Sequence, residues 1–116
     1  MAIATTAEKN SLATKYSVDA VYGAAFTADP GTTGTVTGEV SGGSPAYARK
    51  TITWGAASGG VITGTCTFDI PTGTTLTYVA VCSSSSGANL LDRVAVTSQA
   101  FASQGTYLAT FTYTQS

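Results

Sequence analysis

The stretch Val61-Ile62-Thr63-Gly64-Thr65-Cys66-Thr67-Phe68-Asp69-Ile70, followed by Pro71-Thr72-Gly73-Thr74, decides the fold class. Ile62, Cys66, Phe68 and Ile70 fall on one side of a two-residue period, and Thr63, Thr65 and Thr67 fall on the other. That alternation is the signature of a strand with one buried face and one wet face. Threonine suits the wet face because it is β-branched, polar and uncharged. Pro71 presets φ and Gly73 permits φ > 0, so the pattern predicts a hairpin joining 61–70 to 75–82. Tyr107, Ala109, Phe111 and Tyr113 repeat the alternation against Thr106, Thr110 and Thr112.

Outward from these strands, turn-forming clusters recur at Asp29-Pro30-Gly31, Ser41 to Pro45, Gly55 to Gly60, Ser83 to Gly87 and Ser103-Gln104-Gly105. The intervals leave room for strands of about six to nine residues, the spacing of an all-β domain. The Thr-Gly-Thr triplets at 33–35, 63–65 and 72–74 are irregularly spaced and read as compositional bias, not as a repeat. Gly31 to Gly43 has only Val36 and Val40 as apolar anchors, which predicts a long, partly ordered loop or an edge strand. The first segment predicts a short helix. Thr5-Thr6-Ala7-Glu8 fits a capping box, Ala7, Leu12, Ala13 and Tyr16 supply an apolar face, and Lys9 and Lys15 a wet one. The helix is expected to fade near Ser17, before β-branched Val18 and Val21. The expected fold is mainly β, with one antiparallel β-sandwich or rolled sheet of six to seven strands and a short N-terminal helix. Residues 1–17 form the helical arm and 18–116 the β-domain, within one domain overall.

The 116 residues contain 22 Thr, 12 Ser and 13 Gly, but only 9% are charged, against roughly 25% in ordinary soluble domains. There is no histidine, which excludes imidazole metal sites and Ser-His or Cys-His nucleophile pairs. A formal net charge of -1 gives neither nucleic acid nor an anionic membrane surface much to attract. No run of about 20 apolar residues could cross a bilayer as a helix. The N-terminus MAIATTAEKN lacks the basic and apolar regions of a secretory signal, so synthesis in the cytoplasm is expected. Cys66 and Cys82 flank the expected hairpin and read as buried small hydrophobes more than as a disulfide. No cofactor is expected.

The acidic residues Glu8, Asp19, Asp29, Glu39, Asp69 and Asp92 suggest no facing carboxylate pair of the kind glycoside hydrolysis needs. Asp29 reads as a turn residue and Asp69 as a strand-end residue. Asp92 and Arg93 are adjacent in a strand and point to opposite faces, so Arg93 pairs across strands, serves an interface or stays a solvated surface charge. Arg49-Lys50, flanked by Tyr47 and Trp54, could stack on bases, but packing of Arg49 on an aromatic ring is the simpler use. Trp54, with Tyr47 or Tyr78 beside it, is a candidate sugar-stacking platform, set against its simpler role as a core anchor. The glycine- and serine-rich runs lack the Lys-Ser/Thr ending of a phosphate loop and the first glycine of a nucleophile elbow.

The run Thr27-Ala28-Asp29-Pro30-Gly31, then Glu39-Val40-Ser41-Gly42-Gly43-Ser44-Pro45-Ala46-Tyr47-Ala48-Arg49-Lys50 and Ile52-Thr53-Trp54, resembles small virion proteins of tailed phages of actinobacteria. Phe68-Asp69-Ile70-Pro71-Thr72-Gly73-Thr74-Thr75 and Gln104-Gly105-Thr106-Tyr107 extend the resemblance. It implies a non-enzymatic structural protein of the virion, made in the host cytoplasm. The expected role is capsid decoration, binding the major capsid protein or other virion proteins and sister copies as a homo-oligomer. The alternatives are a minor tail or tail-fibre-associated protein, or a carbohydrate-binding host adhesin. Glu8, Lys9 and Leu12 on the helix, the 31–45 loop, Arg49 and Arg93 are the candidate interface; Trp54 and Tyr47 are the candidate ligand platform.

Overall fold

The computed structural model describes residues 5–115, so residues 1–4 of the expected arm and residue 116 lie outside the described residues. Thr5 caps helix α1 (Thr6–Asp19): its hydroxyl accepts from the Glu8 N–H at 3.4 Å. The helix runs two residues past its expected end. Val18 is exposed and costs only a few tenths of a kcal/mol in propensity, while Lys15 bonds Asp19 one turn on at 2.8 Å. The inward face is Ala13, fully buried, and half-buried Tyr16. Ala7 is exposed and Lys9 is half-buried against the Gly60 turn, the reverse of what the sequence predicted for both.

The remaining elements are β1 (Tyr22–Phe26), β2 (Lys50–Thr51), β3 (Thr53–Trp54), β4 (Val61–Ile70), β5 (Thr74–Cys82), β6 (Leu90–Phe101) and β7 (Gly105–Thr114). They pair antiparallel into a four-stranded sheet, β2-β1-β5-β6, and a three-stranded sheet, β3-β4-β7. This is the expected mainly-β architecture with its N-terminal helix. Between the sheets lie Ile70, Phe68 and Cys66 of β4, Leu76, Val79 and Val81 of β5, and Ala109 and Phe111 of β7, each under 9% exposed. Fully burying such side chains stabilises by about 1.5–3 kcal/mol each. Outside the four-stranded sheet a smaller cluster forms from Ala24, Phe26, Ala80 and Cys82, with Val36 packed over it. The free thiols Cys66 and Cys82 therefore sit in different clusters. Burial pushes the Cys66 thiol up to about 11 and the Cys82 thiol upward as well.

One expectation changes. β4 and β5 do not form a hairpin: they belong to different sheets, and the Pro71–Gly73 turn is an arch between layers. The turn residues dictate a chain reversal, but both returning strands carry apolar residues that satisfy each other by facing across the core. The 31–45 segment is the expected loop with Val40 as its anchor, but it is tied to β1 instead of lying free. Thr27 N–H donates to Gly38 O at 2.9 Å, Val40 N–H donates to Ala25 O at 3.0 Å, and Val40 is 5% exposed.

The chain steps between the two sheets at both flanks, at Ile52 and at 102–104. β2 and β3 are separated only by Ile52, where the chain steps from one sheet to the other and closes that flank. β6 and β7 are the outer strands of the opposite flank, and each has one unpaired side.

Candidate interaction surfaces

Arg49, expected at an interface, is buried and saturated within its own chain. Its Nε and Nη2 donate to the two Glu39 carboxylate oxygens at 2.9 and 3.0 Å. Nη1 donates to Ser84 O and Asn89 Oδ1 at 3.0 Å each, and Nη2 also donates to Gly87 O at 2.7 Å. All five N–H donors of the guanidinium are thus used. The bond to Glu39 holds the guanidinium pKa above its ordinary value. Tyr47 joins the same hub: its hydroxyl donates to Glu39 Oε2 at 2.9 Å and accepts from Ala25 N–H at 2.9 Å. Burial, foremost, pushes the Tyr47 phenol pKa upward. The hub ties β1, the 31–48 segment and the 83–89 loop together. Sequence showed the Arg49 charge but not its partners, which lie 10 to 40 residues away.

Arg93 is also engaged internally. Its Nε lies 2.7 Å from Asp29 Oδ1, an ion pair without aligned N–H···O geometry, and its guanidinium carbon lies 5.9 Å from the Tyr78 ring centre. It is thus Arg93, not Arg49, that packs over an aromatic ring. Asp29 acts as the expected turn residue as well, accepting from Gly31 N–H at 2.8 Å. On α1, Glu8 is exposed, while Leu12 and Lys9 are half-buried.

Trp54 and Tyr47 are not brought together as a platform. Tyr47 belongs to the Arg49 hub, whereas Trp54 lines a cavity of about 310 Å³ that reaches β6 and β7. The Trp54 Nε1–H donates to Ala20 O at 2.8 Å, which supports its anchoring role. Tyr16 meets Trp54 edge-on at 6.1 Å and stacks on Tyr113 at 3.9 Å. Asp92 and Val94 of β6 form the opposite wall, with Val79, Val81 and Phe111 also lining the cavity. Burial first, then the Asp92 carboxylate and Tyr113, push the Tyr16 phenol up to about 12.

The outer face of the three-stranded sheet carries Thr63, Thr65 and Thr67 of β4 and Thr106, Thr110, Thr112 and Thr114 of β7, all exposed. The register sets Thr63 beside Thr112 and Thr65 beside Thr110. This is a hydroxyl-rich face, interrupted by exposed Leu108 opposite Thr67. Among the described residues no group of three or more His, Cys, Asp or Glu is placed to hold a metal, and no helix is long and apolar enough to cross a membrane.

A model of the family described as podophage GP4 fiber I protein gp80 matches residues 6–115, nearly the whole chain. The chain belongs to this family. Membership in a phage fibre family makes it a structural protein of the bacteriophage virion, assembled in the host cell. The virion half of the resemblance read from sequence is thereby established, while the link to phages of actinobacteria is not part of the match. Comparison with curated proteins and with solved structures returned no match. In this gp80-family chain, then, the helix, the hub and the outer strand β7 are features of a fibre-family β-sandwich.

Proposed function

We propose that the protein is a non-enzymatic component of the tail fibre, acting through protein–protein contact. The observation that carries this reading is the fibre-family match over residues 6–115. The site geometry agrees with it. The charged side chains Arg49 and Arg93 are spent on internal pairs, and the outer surface includes a hydroxyl-rich sheet, the Glu8 side of α1 and exposed Val94 and Leu108 near the β6–β7 edges. Such surfaces bind by shape and buried area more than by charge. Repeated copies on one particle make modest contacts strong in aggregate. Capsid decoration, the first expectation from sequence, draws no support from a fibre-family match. The test is localisation on intact particles by labelled antibody, together with copies per particle by quantitative mass spectrometry. A small copy number confined to the tail is expected. Dense labelling over the whole head would overturn the fibre reading in favour of decoration.

A further inference from the structure

Strand β7 is an unguarded sheet edge. Natural edge strands are blunted by charges, proline, bulges or a covering loop, because a bare edge is a template for another strand. The two long outer strands, β6 and β7, differ sharply in this respect. β6 carries Asp92 and Arg93, its register against β5 shifts twice, its Leu90 N–H is taken by Gly34 O at 3.4 Å, and Asp29 covers Arg93. β7 reads Gly105-Thr-Tyr-Leu-Ala-Thr-Phe-Thr-Tyr-Thr114, with no charge and no proline. Its pairing with β4 runs unbroken through ten residue pairs, so no bulge twists it away. Beside it, Leu108 is 63% exposed and Val94 of β6 is 51% exposed.

The order of residues along β7 says what fits there. About Thr110 two of the four mirror pairs are identical, Thr106 with Thr114 and Tyr107 with Tyr113, while Ala109 mirrors Phe111 and Leu108 mirrors Thr112. In an antiparallel ladder, residues directly opposite share a face. We propose that β7 pairs antiparallel with β7 of a second copy of this chain, about a two-fold axis passing at Thr110. Thr–Thr and Tyr–Tyr pairs then meet directly, which are favourable cross-strand partners, and small Ala109 lies opposite bulky Phe111 of the partner subunit. The two three-stranded sheets become one six-stranded sheet. With no charge on the strand, the pairing brings no like charges into opposition. Because β6 lies on the same flank, the partner also approaches exposed Val94. A foreign strand would use the edge without using its symmetry; a second copy uses both.

The experiment is sedimentation velocity of the full chain across the micromolar range, with three variants. Thr110→Lys sets two ammonium groups directly opposite each other, and weakens the dimer by about fivefold or more. Thr53→Lys, an exposed position on the opposite flank, leaves it unchanged. Thr110→Cys, oxidised and run on a non-reducing gel, links two chains, while Thr106→Cys does so far less, since it faces residue 114 across the seam. Cys66 and Cys82 are buried and do not compete. Circular dichroism melts confirm that each variant is folded. A wild-type monomer, a three-fold assembly, or equal cross-linking at positions 106 and 110 would each overturn the proposal.

Discussion

Arg49 shows how much of this fold hangs on single polar contacts. Its side chain is 3% exposed and that of Glu39 18%, so the pair is largely withdrawn from water. A buried pair of this kind is weak evidence for net stability, yet removing one partner leaves the other charge stranded. Arg49→Met is therefore expected to destabilise the domain by about 3–5 kcal/mol, read as a lower midpoint in urea. Arg49→Lys rescues little of that loss, because an ammonium cannot reproduce the planar fork that meets Glu39, Ser84, Gly87 and Asn89 together. A midpoint within error of wild type for Arg49→Met would show that the hub is dispensable. In sequence, Arg49-Lys50 stood out as the basic dipeptide. Its destination inside the protein was illegible, because three of its partners are loop groups some 35 to 40 residues further on.

At the scale of elements, the strand period was legible and the strand pairing was not. The apolar–threonine alternation of β4 and β7 sets which side of each strand is buried, whatever the neighbour. Which strand becomes that neighbour is a non-local matter, so the 71–73 turn proved to be an arch. The two-residue strands β2 and β3 are too short for any period to show, although they are what closes one flank. Gly64 marks that closure. A Cβ there would lie 2.6 Å from Ile52 Cγ2 and 2.7 Å from Trp54 Cε3, inside contact distance of both. Gly64→Ala is expected to push Trp54 outward and cost about 1–3 kcal/mol as an overpacking change. Trp54 is the sole tryptophan, so its emission spectrum reports the displacement directly. An unchanged spectrum and melting temperature would mean that the β3–β4 contact yields freely. Helix α1 was legible from its cap and, at Leu12, Ala13 and Tyr16, from its packing face, while Ala7 and Lys9 exchange the environments that the pattern assigned them.

Over the whole molecule, buried phenols and thiols leave a mark on pH dependence. Cys66 is raised from 9.0 to about 11 and Tyr16 from 10.0 to about 12, so the folded state keeps protons that the unfolded chain gives up. Their contribution is fully present below pH 9 and is lost as pH rises from 9 through 12. Thermal melts should accordingly be flat from pH 6 to 8 on this account and fall steeply above pH 9, and Tyr16→Phe should soften the fall above pH 10. A Tyr16→Phe profile superimposing on wild type would remove Tyr16 from the account. The sequence by itself determined that this is a mainly-β chain with hydroxyl polarity and little charge, because side-chain period and composition are local properties. Tertiary structure alone decided that Arg49 and Arg93 are used internally, that Trp54 and Tyr47 lie apart, and that the ten-residue strand β7 ends up as an outer strand. Those outcomes depend on which distant segments meet, and that is settled by packing two sheets and a helix at once, not by any single stretch of chain.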